Sequence, residues 1–218
     1  KEMLDKYEYD TRIFKISGMN SFERYNDEYA DYFFTQLSSI WGWATWRRTI
    51  DMLDTQYSFL SDNYLQKQMK MQIKEYNEKL STCTWHHESG IMYYESVLWN
   101  TQMTNHMLNI VPSKNLISNI GIGSDGTHSN SSLKTTDKNT QRMFYIPTYE
   151  LDFPLRHPSH VIADVSYYER MCNLLNLGHP VLGKIRQWDG QIRRFIYADA
   201  EERKKKIKNQ FRLLIKRR

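Results

Sequence analysis

The chain has 218 residues, enough for one domain with a sizeable core, and its 40% hydrophobic and 25% charged residues are those of an ordinary globular protein. Two cysteines, Cys83 and Cys172, are too few for a disulfide framework or a zinc site, and no apolar run of about 18 residues exists to cross a membrane. The net charge of +5 is concentrated between Glu201 and Arg218, where nine Lys and Arg meet two Glu and leave about −2 for the rest, so a nucleic-acid-tracking surface is not expected.

In chain order, residues 1–10 read as the last turns of a helix, and the alternating Arg12–Ser17 as a short strand ended by Gly18. Tyr32–Ile40 is a second apolar stretch, read as a strand, and Thr45–Leu53 has helical character. Tyr57–Leu80 reads as one long polar helix with Leu60, Tyr64, Met71 and Ile73 on its sparse apolar side. Tyr93–His106 is a helix and Leu108–Val111 a buried strand closed by Pro112. Residues 119–142, rich in Gly, Ser, Asn and Thr, read as a loop. Pro147, Pro154 and Pro158 mark an extended surface crossing. Tyr167–Leu177 is a further helix and the basic tail is the last one. Short strands alternating with helices give an α/β class, with too few strands for a complete open sheet.

Aromatic residues make up 14% of the chain, with 15 Tyr and 6 Trp. Sugars stack on aromatic faces, so this share leans toward carbohydrate; the alternative is that the rings fill the core. His86, His87 and Glu88 invite a metal reading, but adjacent histidines diverge on a helix or strand and no H-E-x-x-H spacing occurs.

Four segments carry a resemblance. Ile40–Arg48 reads IWGWATWRR, Ile16–Asn20 reads ISGMN, Val111–His128 reads VPSKNLISNIGIGSDGTH, and Phe153–Pro158 reads FPLRHP. In order and spacing these resemble bacterial family-two-like glycosyltransferases of GT-A type, over roughly residues 1–170. The resemblance implies an incomplete GT-A fold, a mixed sheet with flanking helices whose amino-terminal, Rossmann-like nucleotide-binding half is missing. Residues 1–198 would be the carboxy-terminal part of that domain and 199–218 a basic amphipathic tail helix. The family's DxD motif would lie upstream of Lys1; Glu8/Asp10 and Glu150/Asp152 have similar spacing but read as surface charges.

The implied activity is inverting transfer of a sugar from a nucleotide-sugar donor to a carbohydrate acceptor, in surface polysaccharide synthesis, with this fragment inactive alone. The complete enzyme would use a divalent metal, Mg or Mn. A non-catalytic carbohydrate-binding or interaction module derived from such an enzyme is the alternative.

Counting back from Pro112, the family's catalytic Asp falls on Glu95, which keeps a carboxylate with a longer reach; a first-turn helix charge is the alternative. Trp41, Gly42, Trp43, Trp46 and Arg47 are the expected acceptor-binding segment. One or two of the Trp rings would supply a platform, with at least one packed in the core; Gly42 would permit close backbone approach, and Arg47 would make a phosphate contact or be a solvated helix charge. Ser17, Gly18, Asn20, Asp125 and His128 are expected at the donor, with His128 a candidate metal ligand or diphosphate contact. His157 is expected to shape the chain crossing. In the tail, Ile207, Phe211 and Leu214 amid basic residues suit an anionic membrane surface. The expected location is the cytoplasm, peripherally on the inner face of the membrane.

Overall fold

The computed structural model describes residues 1–91, 93–121 and 133–197. They form the strands β1 (Ile13–Ser17), β2 (Tyr32–Thr35), β3 (Trp43–Ala44) and β4 (Leu108–Pro112). The helices are α1 (Glu2–Lys6), α2 (Arg47–Asp51), α3 (Asn63–Gln72), α4 (Tyr76–Ser89), α5 (Tyr94–Thr104), α6 (Lys138–Gln141), α7 (Val165–Leu175) and α8 (Pro180–Tyr197). Two compact units result: Lys1–Ser118 with Ile146–Gly178, and Asn119–Tyr145 with His179–Arg218.

The first unit is α/β, built on a four-stranded mixed sheet of order β2-β4-β1-β3. β1 and β4 run parallel with Ile16 opposite Ile110. A parallel pair needs a long crossover, which α2 to α5 supply. β2 and β3 complete the sheet antiparallel at its two edges, with Phe34 opposite Ile110 and Ser17 opposite Trp43. One apolar cluster joins Ile13, Phe34 and Ile110 to Tyr7 and Trp46. Another joins Phe14 to Leu98 and Met107, with Trp43 packed against it. α5 is buried continuously from Ser96 to Met103, as a helix enclosed by protein must be. α7 seats Tyr167 and Met171 on Val111.

The expected strands at Arg12–Ser17 and Leu108–Val111 and the helix at Tyr93–His106 are present within two residues. Three expectations for the first unit change. The strand from Tyr32 stops at Thr35, because the Gln36 carbonyl accepts from the side chains of Gln102 at 2.6 Å and Asn109 at 3.0 Å instead of from a neighbouring strand. The helix expected over Thr45–Leu53 shortens to Arg47–Asp51.

The single helix expected over Tyr57–Leu80 is three elements: a 3-10 turn at Ser58–Ser61, α3 and α4. Asp62 starts α3 by accepting the Leu65 N–H at 2.9 Å, an N-cap bond. The chain turns extended at Ile73, and the Lys74 N–H leaves the helical ladder for Tyr168 Oη at 2.9 Å.

The proline segment crosses the surface as expected. Asp31 takes Arg156 by its backbone and guanidinium, the latter at 2.7 Å. His157 lies 2.9 Å from Tyr32 Oη and 3.4 Å from a Glu2 carboxylate oxygen, tying the segment to β2 and α1.

In the second unit, the loop expected over 119–142 instead contains a 3-10 turn at Leu133–Thr135 and then α6, capped by Asp137. α8 precedes the tail that was expected to hold the last helix. That tail, from Glu201, lies outside the described residues.

Candidate functional site

β1 ends where the crossover connection leaves it, the end at which open α/β sheets bind ligands. Ser17 is buried, and its Oγ accepts the Met19 N–H at 3.2 Å. Gly18 donates its N–H to Gly42 O at 2.7 Å and accepts the Leu116 N–H at 3.0 Å, so three distant segments meet on one residue. A side chain at Gly18 would meet Gly42 O at 3.0 Å and Ile117 at 3.1 Å. One at Gly42, where φ is +55°, would stand 2.6 Å from Ile117 Cδ1. Both glycines thus serve the internal geometry, Gly18 by its close approach to Gly42 O and Gly42 by its positive φ.

Asn20 has no exposed surface. Its amide donates to the carbonyls of Pro112 at 2.9 Å and Ser113 at 3.0 Å, and its side-chain oxygen accepts the Phe22 N–H at 3.0 Å. These bonds commit it to the framework and leave nothing of it facing a donor sugar.

The tryptophan segment divides in two. Trp46 is in the core, its Nε1 donating to Leu4 O at 2.9 Å, which takes it away from any acceptor. Arg47 is exposed at the start of α2 and pairs loosely with Asp51 at 3.5 Å. Arg48, not singled out in the sequence, is the structural cation. It donates to the carbonyls of Glu8, Ile13 and Asp10, each at 2.9 Å, and stacks 4.4 Å from the Trp46 ring centroid. Trp41 and Trp43 are half-buried, and Gly42 between them is exposed. These three residues keep the segment's contact surface.

Glu95 stands in the first turn of α5, partly exposed, with one carboxylate oxygen buried and accepting no hydrogen bond among the described residues. One turn on, Leu98 belongs to the cluster against which Trp43 packs. The helix start beneath Glu95 is pinned by a buried trio. Ser96 Oγ lies 2.6 Å from Tyr57 Oη and 2.7 Å from His86 Nδ1, and bonds Tyr93 O at 2.9 Å. His86 is thereby a buried packing residue. His87 and Glu88 are exposed beside it.

Sequence reasoning missed the charged layer behind Glu95. Lys15, in the middle of β1, is 3% exposed and donates to Ser39 O at 2.9 Å. Burial, with a smaller contribution from the neighbouring Lys79, lowers its pKa to about 7. Lys79, on α4, also has a lowered pKa from burial, opposed by the carboxylates of Glu75 and Glu95. Glu75 is fully buried; Trp99 Nε1 donates to it at 3.2 Å and Tyr168 Oη at 2.7 Å. The available signal was Lys15 itself, a charge inside a short apolar strand that the sheet encloses.

Asp125 and His128 lie outside the described residues. Among the described residues no group of three or more His, Cys, Asp or Glu is placed to hold a metal ion. No family model, curated protein or solved structure matches the chain.

Proposed function

We propose that the chain is the carboxy-terminal, acceptor-side part of an inverting GT-A type glycosyltransferase. Such an enzyme moves a sugar from a nucleotide-sugar donor to a carbohydrate acceptor in polysaccharide synthesis. The observation that supports this reading best is the placement of Glu95. Its side chain is partly exposed, at a helix start braced from below by Ser96, Tyr57 and His86. The order of the four motif segments adds to it.

In this reading Trp41 and Trp43 present aromatic faces to the acceptor ring, and Glu95 accepts the proton of the acceptor hydroxyl. The hydroxyl oxygen then attacks the anomeric carbon as the bond to the nucleoside diphosphate breaks on the opposite face, which inverts the centre. The Gly18–Gly42 junction at the end of β1 borders the donor. Lys79 is the cation that neighbours Glu95.

The test is release of nucleoside diphosphate from a panel of nucleotide-sugars, with oligosaccharide acceptors, by the complete polypeptide that contains these residues. Trp43→Ala should raise the acceptor KM by about tenfold while the donor KM holds. Sugar binding without any release under all donors would favour the binding-module reading instead.

A further inference from the structure

α8 packs the wrong way round for a helix that belongs only to its own unit. An amphipathic helix ordinarily turns its apolar stripe to the protein and its polar face to water. In α8 the apolar side chains Val181, Ile185, Trp188, Ile192 and Phe195 recur at helical spacing and share one face, and all are exposed, Trp188 by 62% and Phe195 by 67%. The buried residue is Gly190, on the opposite face, where a side chain would stand 3.8 Å from Asp137 Cβ. The neighbouring polar contacts agree. Asp189 accepts the Lys138 N–H at 3.1 Å and the Arg193 guanidinium at 2.8 Å. The helix therefore docks through glycine and an aspartate and holds its stripe outward.

We propose that α8 is an interfacial helix that lies in the plane of an anionic lipid surface, with this stripe in the acyl boundary. Charge selects the occupant. α8 carries Lys184, Arg186, Arg193 and Arg194 against Asp189 alone, and the sequence from Glu201 to Arg218 adds nine Lys and Arg against two Glu. A large Trp- and Phe-bearing apolar face beside basic residues is the composition that binds anionic headgroups and buries shallowly. A second copy of the same helix would bring no acidic partner to Lys184 at the edge of the stripe, since the one carboxylate, Asp189, is engaged by Lys138 and Arg193. No helix among the described residues is long and apolar enough to cross a membrane, so the contact proposed is peripheral. The proposal does not rest on the transferase reading.

The experiment is flotation of the chain with vesicles of phosphatidylcholine alone and of phosphatidylcholine mixed with phosphatidylglycerol, at low and high salt. Sedimentation velocity without lipid runs alongside. Wild type should float with the anionic vesicles only, and high salt should weaken it. W188E/I192E, two exposed changes that should leave folding intact by circular dichroism, should lose at least about tenfold in vesicle affinity. Three outcomes overturn the proposal. One is no flotation of wild type with anionic vesicles. Another is flotation that W188E/I192E leaves unchanged, which would place binding in the basic tail alone. The third is a wild-type dimer that this variant dissolves while vesicle binding is absent, which would make the stripe a self-association face.

Discussion

Asn20 donates its backbone N–H to the side-chain oxygen of Asn115 at 3.0 Å, joining the turn after β1 to the turn after β4. Asn115 is itself fully buried and its amide donates to Ile117 O at 2.7 Å and Pro147 O at 2.9 Å. The pair fixes how the two parallel strands end, and so where Gly18, Gly42 and Ile117 meet. Asn115→Ala strands one buried donor and two carbonyls. It should lower unfolding stability by about 2–4 kcal/mol, more than a typical substitution. Urea denaturation reads this directly, and a change within about 0.5 kcal/mol would deny the pair its framework role.

Arg47 and Arg48 are neighbours with opposite assignments. Arg48 binds four backbone carbonyls between Tyr7 and Ile13 and covers Trp46. Arg48→Ala should cost about 2–3 kcal/mol through lost charged hydrogen bonds and packing. Arg47→Ala, at an exposed pair, should cost less than about 0.5 kcal/mol. Thermal unfolding of the two variants side by side checks the contrast. Equal losses would contradict it.

Lys15 gives a pH signature. Its folded pKa, about 7, lies below its ordinary value of 10.5. Between those values the unfolded chain binds the extra proton, so stability rises with pH. Lys79 is shifted the same way. Cys83 and Cys172, raised by burial from 9.0 to about 11, act oppositely above pH 9 because the unfolded thiols ionise first. The clean window is therefore pH 7 to 9. Wild-type stability should climb across it, and Lys15→Met should be more stable at pH 7 with a shallower climb. Parallel curves for the two proteins would show that Lys15 is charged throughout.

The elements that carry the sheet were legible because their patterns are local. Ile13–Ser17 and Leu108–Pro112 are short apolar runs closed by Gly18 and Pro112. The break between α3 and α4 was not legible, because no Gly or Pro marks it. It arises when Tyr168, over ninety residues away, takes the Lys74 N–H. α8 carries Gly183 and Gly190, residues that weaken a helical pattern, yet Gly190 is what lets the helix approach Asp137. In the candidate site, the sequence did not show the division of labour within its segments. Whether a Trp is a platform or a core ring depends on burial, and Trp43 and Trp46, three residues apart, differ on that. Lys79 meets Glu95, and Lys15 meets Lys79, only through the fold.

The most direct test of the account is the transfer rate of Glu95→Gln in the complete polypeptide, read as nucleoside diphosphate release with donor and acceptor saturating. The substitution removes the proton acceptor and keeps the shape. kcat should fall at least about a hundredfold, with Tm and acceptor KM near wild type and part of the rate kept by Glu95→Asp. Transfer by Glu95→Gln at the wild-type rate would contradict the assignment of Glu95 as the base.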